Sequence, residues 1–388
     1  VLFFFDLCLA CSVYGHGIFI TFVRRKNFIK MGEKKITIND VAKMAGVSKG
    51  TVDRVLHNRG EVSLESEKRV RAVVQELGYE PNLNASLLAS RKETVIACLL
   101  PKGEKGEYWD MLIQGAEEGA PAVKDLNAKV EIFSYDQYRL DSFRSACAEM
   151  LETHPDGVIM TPLFKDETAT LADQLQSASI PFMFVDYKLK EKDYLVYYGM
   201  PMRRSGVLCA HLLTEFQSQE EIKEVLIVRI QRDAEGQSDP TVNRRNGFIA
   251  YMAEHFPQTA IHNLFIKPND DEWNRKALTE FFKEHPGVHH IVMFNSRIHL
   301  ICNILKEISI ERPHIIGYDD IEKNLKALRE GLITMLITQH TCNQTKMAIE
   351  DMADYLVKRK VPSEGKDLFI HMEILTPMNV DFYNNSRN

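Results

Sequence analysis

Residues 37–90 read TINDVAKMAGVSKGTVDRVLHNRGEVSLESEKRVRAVVQELGYEPNLNASLLAS, and their punctuation predicts a cluster of short helices. Thr37 can cap a first helix whose apolar positions are Val41, Ala42 and Ala45, and Gly46 stops it. Ser48 caps a second helix, Lys49 to about His57, with Val52, Val55 and Leu56 on one face. A polar stretch with Asn58 and Gly60 follows. Ser63 then starts a longer helix to Leu77, with Val70, Val73, Val74 and Leu77 facing inward and Gly78 ending it. Pro81-Asn82 opens a last short segment, Leu83 to about Ser90.

Two short helices joined by a glycine turn can cross steeply, so that the start of the second is offered to the major groove of DNA. Its first backbone N–H groups, beside Ser48, can meet a phosphate. Lys49 and Arg54 are five residues apart, about 140° around the axis, so they flank the exposed face. Either can reach guanine acceptors or a phosphate, and Thr51 suits a phosphate or a thymine methyl. The order of the T-I-x-D-V-A-x-x-A-G-V-S core, the T-V-x-R-V-L helix, the V-S start of the third helix and the G-Y-x-P-N exit resembles the LacI/GalR family of bacterial transcription regulators. That resemblance implies a helix-turn-helix domain over 31–80 and a hinge helix or linker over 81–92. It implies DNA contacts from Thr37, Ser48, Lys49, Gly50, Thr51, Arg54, His57 and Asn58, and from Asn82, Ala85 and Leu88 in the hinge. Leu88 matches the apolar wedge that enters the minor groove and kinks a base step. Two positions depart from the family pattern. Gly50 stands where a base-reading side chain is usual, and Asp53 where a small hydroxyl is common, so the operator cannot be borrowed from a relative.

From Thr94 the texture changes to apolar runs of strand length alternating with amphipathic stretches of helix length. The runs are Val95–Leu100, Val130–Phe133, Gly157–Met160, Phe182–Val185, Val225–Ile230, Leu264–Ile266, Ile291–Phe294, Ile315–Tyr318 and Thr334–Ile337, with a last strand near Leu368–Leu375. Continuous apolar strands separated by helices mean parallel sheets covered on both faces. Nine such units exceed one sheet and predict an α/β core of two doubly wound lobes after the small all-α domain. Residues 93–388 resemble the periplasmic-binding-protein-like core (type I) that this repressor family uses. The expected division is lobe 1 at about 93–199 and 340–363, and lobe 2 at about 200–339 and 364–388, joined by three crossings. The resemblance places a ligand at the carboxyl ends of the strands, between the lobes. Asp186, Asn295, Asp319 and Gln339 follow strands, and Arg244 matches the arginine of an R-x-x-G-[FW] motif. Carboxylates and amides suit a sugar, whose hydroxyls both donate and accept. Tyr108, Trp109 and Trp273 are the candidate stacking faces for its ring.

The charge distribution agrees with a DNA reader on a separate body. Residues 31–91 carry ten Lys/Arg and eight Asp/Glu, and residues 1–30 four and one; against a total of −6, residues 92–388 hold −11. The seven cysteines are scattered, most in apolar segments, as in a cytoplasmic protein without disulfides. Neither Cys8-x-x-Cys11 nor His289-His290 has a matched second ligand pair, so no metal and no cofactor is expected. No nucleophile elbow, P-loop or dinucleotide motif in its strand–helix context argues for an enzyme. The expected partners are a pseudo-palindromic operator, a small-molecule effector that is a sugar or sugar derivative, and a second copy of the chain, with no membrane partner. Residues 1–23 are largely apolar and precede Arg24-Arg25-Lys26. We read residues 1–30 as upstream translation that ends before Met31. The alternative reading makes the apolar start the address of an exported or membrane-anchored sugar-binding protein. The hinge reading has a direct check: Leu88→Ala should weaken specific operator binding in a mobility-shift assay and leave ligand binding unchanged.

Overall fold

The computed structural model describes residues 11–13, 18–20, 36–56, 62–77, 93–215, 221–230, 239–310, 313–362 and 365–383. The expected hinge helix, with Asn82, Ala85 and Leu88, lies outside these residues, as do His57 and Asn58. The chain divides into two compact units, Val1–Leu83 and Asn84–Asn388.

In the first unit, β1 (Cys11–Val13) pairs antiparallel with β2 (Ile18–Ile20). Three helices follow, α1 (Ile38–Ala45), α2 (Lys49–Leu56) and α3 (Leu64–Leu77). Asp40 accepts from the backbone N–H of Thr37 at 2.9 Å and from its hydroxyl at 2.6 Å, which fixes the start of α1. Gly46 ends that helix at φ +63°, a left-handed conformation that glycine adopts at no steric cost. Ser48 Oγ then accepts from the Thr51 N–H at 3.1 Å and starts α2 four residues after α1 has closed. Val41, Ala42 and Ala45, Val52 and Val55, and Val70 and Val73 form the shared core; Leu56, Val74 and Leu77 are only partly buried. Small side chains at all these positions let three short helices approach closely. Burying each valine contributes roughly 1.5–3 kcal/mol.

In the second unit each of the nine apolar runs is a strand. Lobe 1 is a parallel sheet in the order β4 (Ala128–Asp136), β3 (Thr94–Lys102), β5 (Gly157–Met160), β6 (Phe182–Asp186), β7 (Tyr197–Gly199), β13 (Asp367–Phe369). Lobe 2 has the order β9 (Ala260–Ile266), β8 (Glu224–Ile230), β10 (His290–Met293), β11 (His314–Tyr318), β12 (Met335–Thr338), β14 (Glu373–Leu375). Only β14 in these two sheets runs antiparallel to its neighbour. The single strand expected near 368–375 is therefore two. The third crossing falls after Phe369 rather than at 364, because β13 completes the lobe 1 edge by pairing with β7 before the chain returns to lobe 2. Apolar residues cover both faces of each sheet, as continuous apolar strands require. Cys98, Cys147, Cys209, Cys302 and Cys342 are free, and burial pushes the Cys98 and Cys302 thiols up to about 12, which makes these two inert packing groups. No helix among the described residues is long and apolar enough to cross a membrane.

One contact in lobe 2 positions the site. Helices Met202–Thr214 and Asp239–His255 cross with glycine against backbone on both sides. A Cβ at Gly206 would lie 1.8 Å from the Arg244 carbonyl oxygen, and one at Gly247 would lie 1.9 Å from that of Arg203. Neither distance is physically possible, so any side chain forces the helices apart. Gly206→Ala should destabilise the protein by about 1–3 kcal/mol through overpacking. Because the clash is with Arg244 itself, the variant should also displace that buried arginine; an unshifted thermal midpoint would contradict the close crossing.

Candidate functional site

The exposed face of α2 carries the groups expected to read DNA. Val52 and Val55 are buried, whereas Lys49, Gly50 and Arg54 are exposed and Thr51 is half-buried. The Thr51 hydroxyl lies 2.9 Å from Ser48 Oγ, so it belongs to the cap as well as to the exposed surface. Thr37 is exposed at the start of α1, held by Asp40. Among the described residues only Ser48 Oγ, 3.8 Å from an added Cβ, comes within 4 Å of the space above Gly50. The position is an open notch between the two cationic side chains.

The second site lies in the larger unit, where strand ends of both lobes converge. Asp186 ends β6 at φ +66°, and Asp319 follows β11 at φ +68°. Left-handed backbone at a non-glycine residue costs roughly 1–3 kcal/mol and is held only where its surroundings over-determine it. Here the surroundings are visible. The Asp186 N–H donates to Gln344 Oε1 at 2.9 Å, and the Tyr197 hydroxyl donates to the Asp186 carbonyl at 3.0 Å. The Asn324 amide nitrogen reaches the carbonyls of Ser296, Tyr318 and Asp319 at 2.9, 3.0 and 3.0 Å. These buried amides and the tyrosine escaped the sequence reading. Gln344 and Asn324 lie in helices, where a polar residue looks like a solvated one unless the fold is known.

Tyr108, Asp186, Asp319, Gln339 and Arg244 come together as expected. The Tyr108 hydroxyl donates to Asp186 Oδ1 at 2.5 Å and accepts from Gln339 Nε2 at 3.0 Å; the same nitrogen donates to Asp319 Oδ1 at 2.7 Å. Tyr108 therefore engages through its hydroxyl rather than as a stacking face. Arg244 is buried, with its guanidinium 4.4 Å from the centre of the Tyr318 ring and Nη1 donating to the Phe294 carbonyl at 3.0 Å. Its Nε and the Gln339 Oε1 are buried without a hydrogen-bond partner. Trp109 flanks the cluster, edge-on to Tyr108 at 5.0 Å, with its indole N–H donating to Gln137. Two expected ligands are not brought in. Asn295 uses Oδ1 to accept from the Arg297 N–H at 3.0 Å, a local turn. Trp273 lies in the first turn of helix Asp271–Glu284 beside edge strand β9, its N–H donating to the capping Asp270 at 3.0 Å and its ring 4.9 Å from the Lys267 ammonium.

Electrostatics ties the cluster together. Burial pushes the Asp319 carboxyl up to about 6, against the opposing pull of Arg244 and the Gln339 hydrogen bond. Burial likewise raises Asp186, against the Tyr108 hydrogen bond and Arg244. Burial and then the charges of Asp186 and Asp319 hold Tyr108 well above its usual value, so its hydroxyl stays a donor. Burial lowers Arg244, but the Asp319 charge and its neighbours outweigh that and raise it. Yet no ion pair within 4.0 Å joins Arg244 to either aspartate among the described residues. The charges feel one another across a gap. Around it, the lobes also touch through Lys323 to Glu107 at 2.6 Å and Arg297 to the Tyr138 hydroxyl at 3.3 Å.

The raised Asp319 pKa has a sign that can be measured. Between about 3.8 and 6 the unfolded chain releases this proton while the folded one keeps it, so stability falls as pH rises through that window. Asp319→Asn should lose this component. Urea midpoints of variant and parent should diverge in the variant's favour from pH 4 to pH 7, and parallel profiles would refute the assignment.

Residues 37–82 match the lacI family of bacterial regulatory proteins, and residues 96–360 match a periplasmic binding protein domain. The chain is 25% identical over 293 residues to the HTH-type transcriptional regulator MalR of Streptococcus pneumoniae, covering 75% of this chain and 85% of that protein. It is 27% identical to the ribose operon repressor of Lactococcus lactis, covering 74% and 81%. A crystal structure assigned as a LacI transcriptional regulator from Bacteroides fragilis superposes with a TM-score of 0.69 at 31% identity, covering 75% of this chain and all of that one. Such proteins regulate transcription and are not enzymes. With a DNA-reading head and a two-lobed binding core in one polypeptide, the chain belongs to the LacI family of bacterial transcription regulators.

Proposed function

We propose that the chain is a cytoplasmic, homodimeric repressor of carbohydrate-metabolism genes whose affinity for a pseudo-palindromic operator is set by a sugar in the cleft. The observation that carries the ligand reading is the gap between Arg244 and the two aspartates. Arg244 Nε and Gln339 Oε1 are buried without hydrogen-bond partners, and the Tyr108 hydroxyl and Gln339 amide link the two carboxylates in a chain. A polyhydroxylated molecule would take over the tyrosine's contacts and satisfy the two orphaned atoms, each of which otherwise costs about 1–3 kcal/mol. Two carboxylates against one guanidinium favour a neutral sugar over a phosphorylated or acidic one. A relative named as a ribose operon repressor agrees with this class of ligand.

Two-fold pairing follows from size. One α2 helix presents too little surface for tight specific binding, and a dyad doubles it. Sugar acts on DNA only through differential affinity for two arrangements of the lobes, and Tyr108, Asp186, Asp319 and Gln339 are placed to feel that difference because they join strand ends of both lobes.

The test couples two measurements. A neutral-sugar panel should contain a compound that raises the thermal midpoint, adding ~2.7 kcal/mol at a hundred times its dissociation constant, and that changes operator affinity in fluorescence anisotropy. Arg244→Ala should abolish both effects with basal operator binding intact. Lys49→Ala should weaken operator binding and leave the sugar response in place. A response confined to anionic ligands would overturn the charge argument, and operator affinity indifferent to every ligand would overturn the switch.

A further inference from the structure

The amino ends of the lobe 2 strands, remote from the carboxyl ends that carry Asp319 and Gln339, hold a second concentration of chemistry. Glu224 is the first residue of β8. His262 lies on β9 opposite Leu226, so Glu224 and His262 share one face of the sheet, two positions apart on neighbouring strands. His285 closes helix Asp271–Glu284 above that face. One ligand atom from each of the three residues lies within 4.8 Å of the others.

The surroundings favour an ion. The imidazoles of His262 and His285 have centroids 4.1 Å apart, and the Phe281 ring stands 5.7 Å from the first and 4.7 Å from the second as an apolar wall. His262 Nε2 is buried and makes no hydrogen bond; Glu224 Oε1 stands 3.9 Å away, beyond hydrogen-bond reach. An orphaned imidazole nitrogen therefore faces a carboxylate and a second imidazole across a space that one small cation would span.

We propose that Glu224, His262 and His285 form a zinc-class divalent metal site at the base of lobe 2. Two imidazoles and a carboxylate are the donor set of borderline metals, whereas calcium and magnesium take oxygen alone. Tetrahedral zinc, with bonds of about 2.0–2.2 Å, sets its ligand atoms roughly 3.4 Å apart, so side-chain rotations of about an ångström close the site. Water takes the fourth position. The metal would clamp edge strand β9 and the end of its covering helix to β8. No residue of the sugar cleft takes part, so the site stands or falls independently of the proposed ligand.

The experiment uses the full chain, stripped with a chelator and then titrated with Co²⁺ and, separately, with Zn²⁺. Cobalt should give the visible bands of a tetrahedral complex at one equivalent, and zinc should raise the thermal midpoint. His262→Ala and His285→Gln should each weaken that binding at least tenfold and remove the midpoint shift, while stripped variants melt like the stripped parent. His285 terminates a helix, so its glutamine variant tests the site even where His262→Ala fails to fold. Unchanged binding in His285→Gln, or no metal bound tighter than by surface histidines in the double variant, would show that the gap holds water and overturn the proposal.

Discussion

A guanidinium buried between two sheets is the constraint on which the larger unit depends. Arg244 keeps its proton at any pH the protein meets, so it cannot escape the cost of burial by neutralising. The Tyr318 ring and the Phe294 carbonyl meet part of that cost. The remainder is met by charge, and this is why Asp186 and Asp319 stand at strand ends facing inward although burial favours their protonated forms. The reciprocal glycine contact of Gly206 and Gly247 brings the arginine's helix close enough for this arrangement.

Much of the architecture was legible because its causes are local and periodic. Apolar runs of three to six residues are of strand length and too short for a buried helix, and all nine runs are strands. Thr37, Gly46 and Ser48 announce helix ends by stereochemistry that needs no tertiary context. What escaped was short or non-local. The three-residue strand β7 is held by β6 and in turn pairs with the equally short β13 at the lobe 1 edge, and three residues carry no period. The third crossing was misplaced for that reason.

The site was partly legible. A polar residue directly after an apolar run marks the carboxyl end of a strand, and this rule found Asp186, Asp319 and Gln339. The same rule also picked Asn295, whose side chain turns back onto its own loop. Spacing cannot tell a turn-forming asparagine from one that faces a cleft. Gln344, Asn324 and Tyr197 hold the strained aspartates from helices and a strand distant in sequence, and only three-dimensional proximity reveals them. Trp273 was chosen for its aromatic face and its place after the acidic stretch 269–272, but it sits beside the outermost strand of the sheet.

For the sugar proposed above, the Tyr108 hydroxyl that bridges Asp186 and Gln339 would be a resident competitor. An incoming hydroxyl must evict it, so the observed dissociation constant equals the intrinsic one divided by the fraction of molecules in which the tyrosine has swung clear. Such a plug would raise the detection threshold of the proposed switch without altering any contact that the sugar makes.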